Sequence, residues 1–259
     1  MLSRNQVRYI HSLTLKKQRE KHRQFIAEGS KLVLDLLDSD HKVCEIYATS
    51  EWIGLHTSSF HSKSILPKAV TEDELSRITA LTTPSPVLAI VSIPETDISP
   101  GSYPGGLVLA LDEIRDPGNL GTIIRIADWF GISAVICSET TVDLYNPKVV
   151  QATMGSVARV PVHYTNLAGF LYGLPSSLNI YGSFLEGENI FTMDLNNQGI
   201  IIIGNESTGI SAGVTKFVTD KLHIPSFATG RGSDAHAESL NASVATAILC
   251  SEFKRRTIY

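Results

Sequence analysis

The spacing of apolar positions divides the chain into a front third and a longer second part. In the front third, apolar residues recur at helical spacing and predict an amphipathic helix after Gly29; they are Phe25, Ile26, Leu32, Val33, Leu36 and Leu37. Strands are predicted at residues 44–48 and 87–93, with a helix at 71–81 between them. Thr71 followed by Glu74 matches a capping box at the start of that helix.

The second part follows a linker and alternates between strands and helices. Three prolines and three glycines lie between Pro94 and Gly106, which is typical of a linker. Short apolar runs then predict strands at residues 107–111, 134–137, 160–163, 180–184, 200–203 and 222–224. Helical patterns lie between and after them, at 120–130, 147–158, 167–172, 212–217 and 238–255. This alternation predicts a Rossmann-like, mostly parallel sheet covered by helices on both faces.

These patterns predict two domains, residues 1–95 and 107–259, joined by the linker at 96–106. The hydrophobic share of 43% is that of an ordinary soluble globular protein. No apolar run approaches the roughly 18 residues of a membrane helix, and the N-terminus lacks the apolar core of a signal peptide. Cysteines and histidines are dispersed, so we expect a cytoplasmic protein with no metal site and no membrane attachment.

Charge is distributed unevenly along the chain. Residues 1–31 hold eight Lys or Arg against two Glu, a net charge of +6, which leaves −10 for the remainder of a chain with net charge −4. Such asymmetry is typical of a localised phosphate-binding surface, although a solvated lysine-rich helix gives the same pattern. The candidate phosphate contacts are Arg4, Arg8, Lys16, Lys17, Arg19, Lys21 and Arg23.

The first motif is DPGNLGTIIR, residues 116–125, directly after a predicted strand. It is not a dinucleotide fingerprint, which disfavours a nicotinamide-dependent oxidoreductase as an alternative function. Asn119 is expected to cap the following helix. Ile123, Ile126, Ala127 and Phe130 are expected to form the apolar stripe that faces the sheet. Arg125 lies off that stripe and is therefore expected to face solvent, a partner or a substrate. The alternative is that it forms a surface ion pair with Asp128.

Two later motifs complete a set. IIIGNESTGIS (201–211) breaks a strand at Gly204, Asn205, Glu206 and Gly209. IPSFATGRGSDAHAESLNASVATAI (224–248) contains Ile224 and the sequence Ser239-Leu240-Asn241 at a predicted helix start. The predicted core stripe of that helix is Leu240, Val244, Ala247 and Ile248. Ser239 is either a residue of the functional site or simply the cap of the helix.

In this order, the three motifs closely resemble those of the SpoU/TrmH branch of the SPOUT RNA methyltransferases. FIAEGSKLVLDLL, residues 25–37, resembles the substrate-binding domain often fused to this branch. The resemblance implies an RNA-binding front domain and a C-terminal trefoil knot. It also implies a homodimer in which the motif-one arginine, here Arg125, approaches the partner's site.

The resemblance further implies S-adenosylmethionine as cofactor, held by Gly204, Asn205, Gly209, Ile224, Ser239 and Leu240. It places Asn119, Arg125, Glu206, Ser239 and Asn241 at the reaction centre. The implied activity is methylation of a ribose 2′-hydroxyl in ribosomal or transfer RNA, and the alternative is a non-catalytic RNA-binding relative of the same fold. The loop from Phe227 to Ala237 is longer than the connection usual in the family, so Arg231 is either an additional RNA contact or part of a flexible loop.

Overall fold

The computed structural model describes residues 1–61, 65–96, 98–227 and 238–256. The chain forms two compact units. The first contains Met1–Glu95 and Asp143–Arg159, and the second contains Thr96–Val142 and the chain from Val160 onward. Within the described ranges, no helix is long and apolar enough to cross a lipid bilayer. Arg231 lies outside the described residues.

The first unit is built on a mixed four-stranded sheet. Its strands are β1 Gln24–Glu28, β2 Val43–Ala48, β3 Lys68–Ala69 and β4 Val87–Ser92, in the order β1-β4-β2-β3. β4 is antiparallel to β1 and β2, whereas β3 is parallel to β2. The helices are α1 Arg4–Ser12, α2 Lys16–His22, α3 Ser30–Asp38, α4 Ser50–Leu55, α5 Thr57–His61 and α6 Glu72–Ser76.

Two predictions for this unit need correction. Phe25 and Ile26 belong to β1 rather than to the helical stripe, since the buried strand ends at Glu28 and α3 begins at Ser30. The helix predicted at 71–81 ends at Ser76, although its capping box is confirmed by hydrogen bonds in both directions between Thr71 and Glu74.

The second unit is built on a seven-stranded sheet. Its strands are β5 Leu107–Leu111, β6 Ala134–Ser138, β7 Val162–Thr165, β8 Ile180–Phe184, β9 Glu188–Asn189, β10 Gly199–Ile203 and β11 Asp220–His223. Their order is β7-β6-β5-β10-β8-β11-β9, and every pairing between them is parallel. The prediction of an α/β fold with a mostly parallel sheet is therefore confirmed.

Helices α7 Pro117–Trp129, α8 Pro147–Ala152, α9 Leu167–Tyr172, α10 Ala212–Thr215 and α11 Ala242–Arg255 follow in the chain. All but α8 belong to the second unit. Residues 143–159, which contain α8 and a 3₁₀ turn at Ser156–Ala158, group instead with the first unit. The sequence pattern had placed this segment in the second domain.

The strand order determines where ligands can bind. From β5 the chain continues to β6 and β7 on one side, whereas β10, β8, β11 and β9 lie on the other side. An open parallel sheet binds ligands beyond the carboxyl ends of its strands at such a reversal. The first and second motifs follow β5 and β10, which are neighbours, with Ile203 aligned with Leu111. Both motifs therefore begin at the same edge of the sheet.

Candidate active site

Three predicted site residues form one hydrogen-bonded chain at this edge of the sheet. The Asn119 side-chain amide donates from Nδ2 to the Glu206 carboxylate. Asn241 in turn donates from Nδ2 to Asn119 Oδ1 across 2.9 Å. Each of the three motifs contributes one member. The central Asn119 is buried, whereas Glu206 and Asn241 are exposed, so the chain presents polar groups to a ligand from a fixed base.

The start of α7 explains how Asn119 is free to act in this chain. The predicted helix cap at Asn119 is wrong, because the cap is Asp116, whose side chain accepts from the Asn119 backbone N–H at 2.8 Å. Pro117 occupies the first turn, where a missing N–H costs nothing. Asp116 thus satisfies the helix end, and both ends of the Asn119 amide remain available for Glu206 and Asn241.

The loop of the second motif is closed by its own residues. Asn205 Oδ1 accepts from the backbone N–H groups of Ser207 and Thr208 at 2.9 and 3.2 Å. Its Nδ2 donates to the Glu113 carbonyl at 2.9 Å, which ties the loop to the end of β5. A Cβ at Gly204 would overlap the backbone of Gly209, and Gly209 itself has φ +68°. Both glycines are therefore required by the loop that holds Glu206 in place.

The start of α11 differs from the prediction. The helix begins at Ala242 rather than at 238, and Asn241, not Ser239, is its cap, accepting at Oδ1 from Ser243 and Val244 N–H. Leu240 and Val244 are 45% and 47% exposed, so they are not core residues. The buried positions of α11 are Ala242, Ser243, Thr246, Leu249, Cys250, Glu252 and Phe253. The predicted core stripe was wrong because apolar residues occur on more than one face of α11, so their spacing alone does not identify the buried face.

A cleft of about 510 Å³ opens beside the hydrogen-bonded chain. Its walls are parts of segments 183–186, 203–209, 221–224 and 239–245. They include all six predicted cofactor-binding residues, Gly204, Asn205, Gly209, Ile224, Ser239 and Leu240, and also Glu206. The volume lies in the range usual for small-molecule sites, about 300–1,000 Å³.

The polarity of the cleft also fits a nucleoside-containing cofactor. Backbone at Gly204 and Gly209 can approach a ligand closely because neither residue carries a side chain. His223 lies in the wall, and its Nδ1 is buried without a hydrogen-bond partner among the described residues. Such an unmet polar atom in a largely apolar wall is typical of a site that is completed by a ligand.

Arg125 lies apart from this cleft. It is exposed on α7 and is not among the described residues that line the cleft. Arg125 and Asn119 are six residues apart, about one and two-thirds helical turns, so their side chains leave α7 in different directions. Arg125 makes no hydrogen bond or ion pair with another described residue, so the alternative of an ion pair with Asp128 has no support. The buried face of α7 comprises Asn119, Leu120, Gly121, Ile123, Ile124 and Ala127, with the predicted Ile126 and Phe130 only partly buried.

Helices α7 and α11 lie side by side and run in the same direction. Asn241 at the start of α11 contacts Asn119 at the start of α7, and Lys254 near its end donates to the Gly131 carbonyl just after α7. Their outer surfaces carry apolar side chains in water, above all Trp129 at 85% exposure. Trp129 lies four residues after Arg125 and hence on the same helix face.

Sequence reasoning missed two polar residues that organise the site. Asp112 is buried at the end of β5 and accepts from the Ser211 N–H at 2.8 Å, which holds the start of α10. Asp116 is the cap described above. The signal for Asp112 was available, since an acid that directly follows a buried parallel strand lies at the ligand-binding edge of the sheet.

The basic residues of the first unit separate into two classes. Arg4, Arg8, Lys16, Lys17, Lys21 and Arg23 are exposed. Arg19 is instead buried and pairs with Asp143 at 2.6 Å, while its guanidinium also donates to the Leu13 and Thr14 carbonyls. The prediction that Arg19 contacts phosphate is therefore corrected, because its guanidinium is already engaged inside the unit.

Comparison with known proteins agrees with these features. The SpoU rRNA Methylase family matches residues 106–251, and the MRM3-like substrate binding domain matches residues 4–89. The 23S rRNA (guanosine(2553)-2′-O)-methyltransferase RlmP of Bacillus subtilis is 32% identical over 239 residues, which cover 92% of this chain and 91% of that protein.

Two solved structures cover almost the whole chain. A TrmH family protein from Porphyromonas gingivalis is 36% identical, with a TM-score of 0.82 and 99% of each chain covered. An AdoMet-bound rRNA methyltransferase from Sinorhizobium meliloti is 32% identical, with a TM-score of 0.83, 99% of this chain and 96% of that chain covered. On the family match and on the identity to relatives over most of its length, this chain belongs to the SpoU rRNA methylase family.

Proposed function

We propose that this chain methylates a ribose 2′-hydroxyl in ribosomal RNA, with S-adenosylmethionine as the methyl donor. The observation that carries the proposal is the hydrogen-bonded chain of Glu206, Asn119 and Asn241 beside a cleft of nucleoside size. Family membership, the relative from Bacillus subtilis and the AdoMet-bound relative support the reaction and the cofactor. Transfer RNA is the second substrate class that the family allows.

Different residues of the site bind the cofactor and position the reacting groups. Gly204, Asn205, Gly209, Ile224, Ser239 and Leu240 hold the cofactor, which supplies an electrophilic methyl group when bound. Asn119 and Asn241 fix the Glu206 carboxylate at the edge of the sheet, and Ser239 lines the reaction centre. Catalysis then arises mostly from positioning and from stabilisation of charge.

Arg125 acts as a clamp on the target nucleotide. A guanidinium stays protonated in proteins, so a role as a general base is chemically unsuitable. Two parallel N–H groups instead bind a phosphate oxygen pair, place the 2′-hydroxyl and stabilise the alkoxide that develops on it. The hydroxyl proton leaves to the phosphate, to water or to Glu206.

Oxygen, rather than a carbon of the base, is the methyl acceptor that this site favours. Addition to a base carbon calls for a nucleophile that activates the ring, commonly a cysteine thiolate. No cysteine is among the cleft-lining residues that the structure describes.

Two subunits build each active site in this proposal. Arg125 lies away from its own cleft, and Trp129 beside it exposes 85% of its surface, as Val244 on the neighbouring α11 exposes 47%. A homodimer that buries this apolar surface brings Arg125 to the partner's cleft. Family membership also supports a trefoil knot in the second unit, and the bacterial relatives support action in the cytoplasm.

The first unit binds RNA. Its match to a substrate-binding domain and its exposed residues Arg4, Arg8, Lys16, Lys17, Lys21 and Arg23 support this role. Phosphate contacts of this kind supply affinity that falls with rising salt concentration.

The direct test is methyl transfer from labelled S-adenosylmethionine into unmodified ribosomal RNA, with the product nucleosides identified by mass spectrometry. The proposal predicts a 2′-O-methyl nucleoside with wild type and none with Arg125→Ala. Arg125→Lys should also be nearly inactive, because a lysine cannot form the bidentate contact. RNA binding without any incorporation, on free RNA and on assembled ribosomal subunits, would instead support the non-catalytic relative.

A further inference from the structure

One wall of the cleft carries a single cationic side chain. Among the described residues that line the cleft, Lys221 is the one Lys or Arg, whereas Glu186 and Glu206 are its acids. Lys221 is exposed on β11, and its Nζ lies 5.1 Å from the centre of the Phe184 ring on the adjacent strand. A cation over an aromatic face is attracted to it, so the ring helps to keep the ammonium at the cleft wall.

The position of Lys221 relative to the reaction centre is set by the sheet. Glu206 follows β10, and β8 separates β10 from β11. Two strand spacings amount to about 10 Å across the sheet. Along the strands, Lys221 is level with Gly182 and Ile202, four residues before Glu206, and both Lys221 and Glu206 line the same cleft. A methyl donor whose sulfonium lies near Glu206 can therefore extend one of its ends along the cleft to β11, where the lysine side chain meets it.

The charges on the methyl donor determine which of its ends lies next to Lys221. The amino-acid end of S-adenosylmethionine carries a carboxylate and an ammonium, whereas the adenosine end is uncharged. A carboxylate taken from water into a cleft needs a cationic or N–H partner. Of the charged residues described in the cleft wall, Lys221 is the one with the required sign.

We propose that Lys221 binds the carboxylate of S-adenosylmethionine and so forms a carboxylate subsite at β11. This inference rests on the proposed function, since it assumes that cofactor in the cleft. His223, two residues further on the same face of β11, lies in the same wall and leaves a buried Nδ1 without a described partner. A polar ligand group at this wall can form the hydrogen bond that His223 Nδ1 lacks, which lowers the free-energy cost of burying that atom.

The test is calorimetric binding of two ligands that differ only in the carboxylate: S-adenosylmethionine and decarboxylated S-adenosylmethionine. Each is titrated into wild type, Lys221→Met, Lys221→Arg and Lys216→Met. Lys216 is a matched control, because it is exposed, its Nζ also lies 5.1 Å from a phenylalanine ring, and it is not among the cleft-lining residues.

Lys221→Met should bind S-adenosylmethionine about fivefold more weakly than wild type, as expected for one partly solvated ion pair. The same variant should bind the decarboxylated ligand as wild type does, and Lys221→Arg and Lys216→Met should match wild type with both ligands. Equal losses of Lys221→Met for both ligands, or no loss for either, overturn the subsite. If wild type binds neither ligand, the proposed function fails together with it.

Discussion

The two sides of helix α7 differ in how their polar side chains are satisfied. On the side of Asn119, the backbone N–H and the side-chain amide of that residue are all hydrogen-bonded within the chain, to Asp116, Glu206 and Asn241. On the side of Arg125, a guanidinium and the indole of Trp129 face solvent. The first side is held by contacts within the described chain, whereas the second faces solvent. The proposed active site, assembled from two subunits, accounts for this difference.

The largest expected effects come from substituting Arg125 and Asn119, one residue from each side of α7. Arg125→Ala should lower methyl transfer by about a hundredfold or more and leave the thermal unfolding midpoint unchanged, because the side chain makes no described contact. Asn119→Ala should lower turnover to a similar extent and also cost about 1–2 kcal/mol of unfolding free energy, since it removes two side-chain hydrogen bonds. Denaturant unfolding and initial-rate assays on both variants measure this. Equal stability of the two variants would contradict the contrast.

The next effect concerns the exposed side alone. Trp129→Glu should convert a dimer to a monomer and abolish activity, because a carboxylate cannot be buried in an apolar interface without a partner. Tyr172→Glu is the control, since Tyr172 is 82% exposed in the same unit. Light scattering coupled to size exclusion gives the oligomeric state. A wild-type monomer, or a Trp129→Glu variant that stays dimeric, would remove Trp129 from the interface.

A smaller effect contrasts a buried with an exposed basic residue in the first unit. Arg19→Met should destabilise that unit by about 3 kcal/mol, because it leaves Asp143 half-enclosed without its partner. Lys17→Met should leave stability unchanged and weaken RNA binding, with a reduced salt dependence. Unfolding curves and binding titrations at two salt concentrations test both. The account would be wrong here if Arg19→Met unfolded like wild type.

The smallest effect is a pH dependence at the end of α11. Arg255 and Arg256 hydrogen-bond to Glu252 and hold its pKa at about 2, below its usual 4.5. A carboxyl with a lowered folded-state pKa adds stability above pH 4.5, and that stability is lost as the pH falls toward 2. The stability advantage of wild type over Glu252→Gln should therefore shrink across this interval. An advantage that stays constant from pH 5 to pH 2 would contradict the pairing.

Sequence reasoning recovered the elements whose signal is local. β5, β8 and α9 match their predicted ranges at 107–111, 180–184 and 167–172. The two strands are short, largely apolar runs bounded by polar turns, and the helix has buried apolar residues at helical spacing. Helix starts were less accurate. Residues that can cap a helix stand close together at Asp116 and Asn119, and at Ser239 and Asn241, and only backbone geometry decides between them.

The contact between Asn119, Glu206 and Asn241 was beyond local reasoning. Family resemblance selected these residues, but their mutual hydrogen bonds depend on β5 lying next to β10, which no spacing in the sequence specifies. The burial of Arg19 has a similar origin, since its partner Asp143 is 124 residues away. A charge run cannot distinguish a long-range ion pair from a solvated surface.

The central claim is that Arg125 of one subunit serves the site of the other. It is tested most directly by a heterodimer of Arg125→Ala and Asn119→Ala subunits, purified through two different tags after co-expression. Each homodimer alone should be inactive. If Arg125 acts across the interface, one of the two sites in the heterodimer keeps both residues, and methyl transfer returns to about half of the wild-type rate. A heterodimer as inactive as its parents would show that Arg125 works within its own subunit.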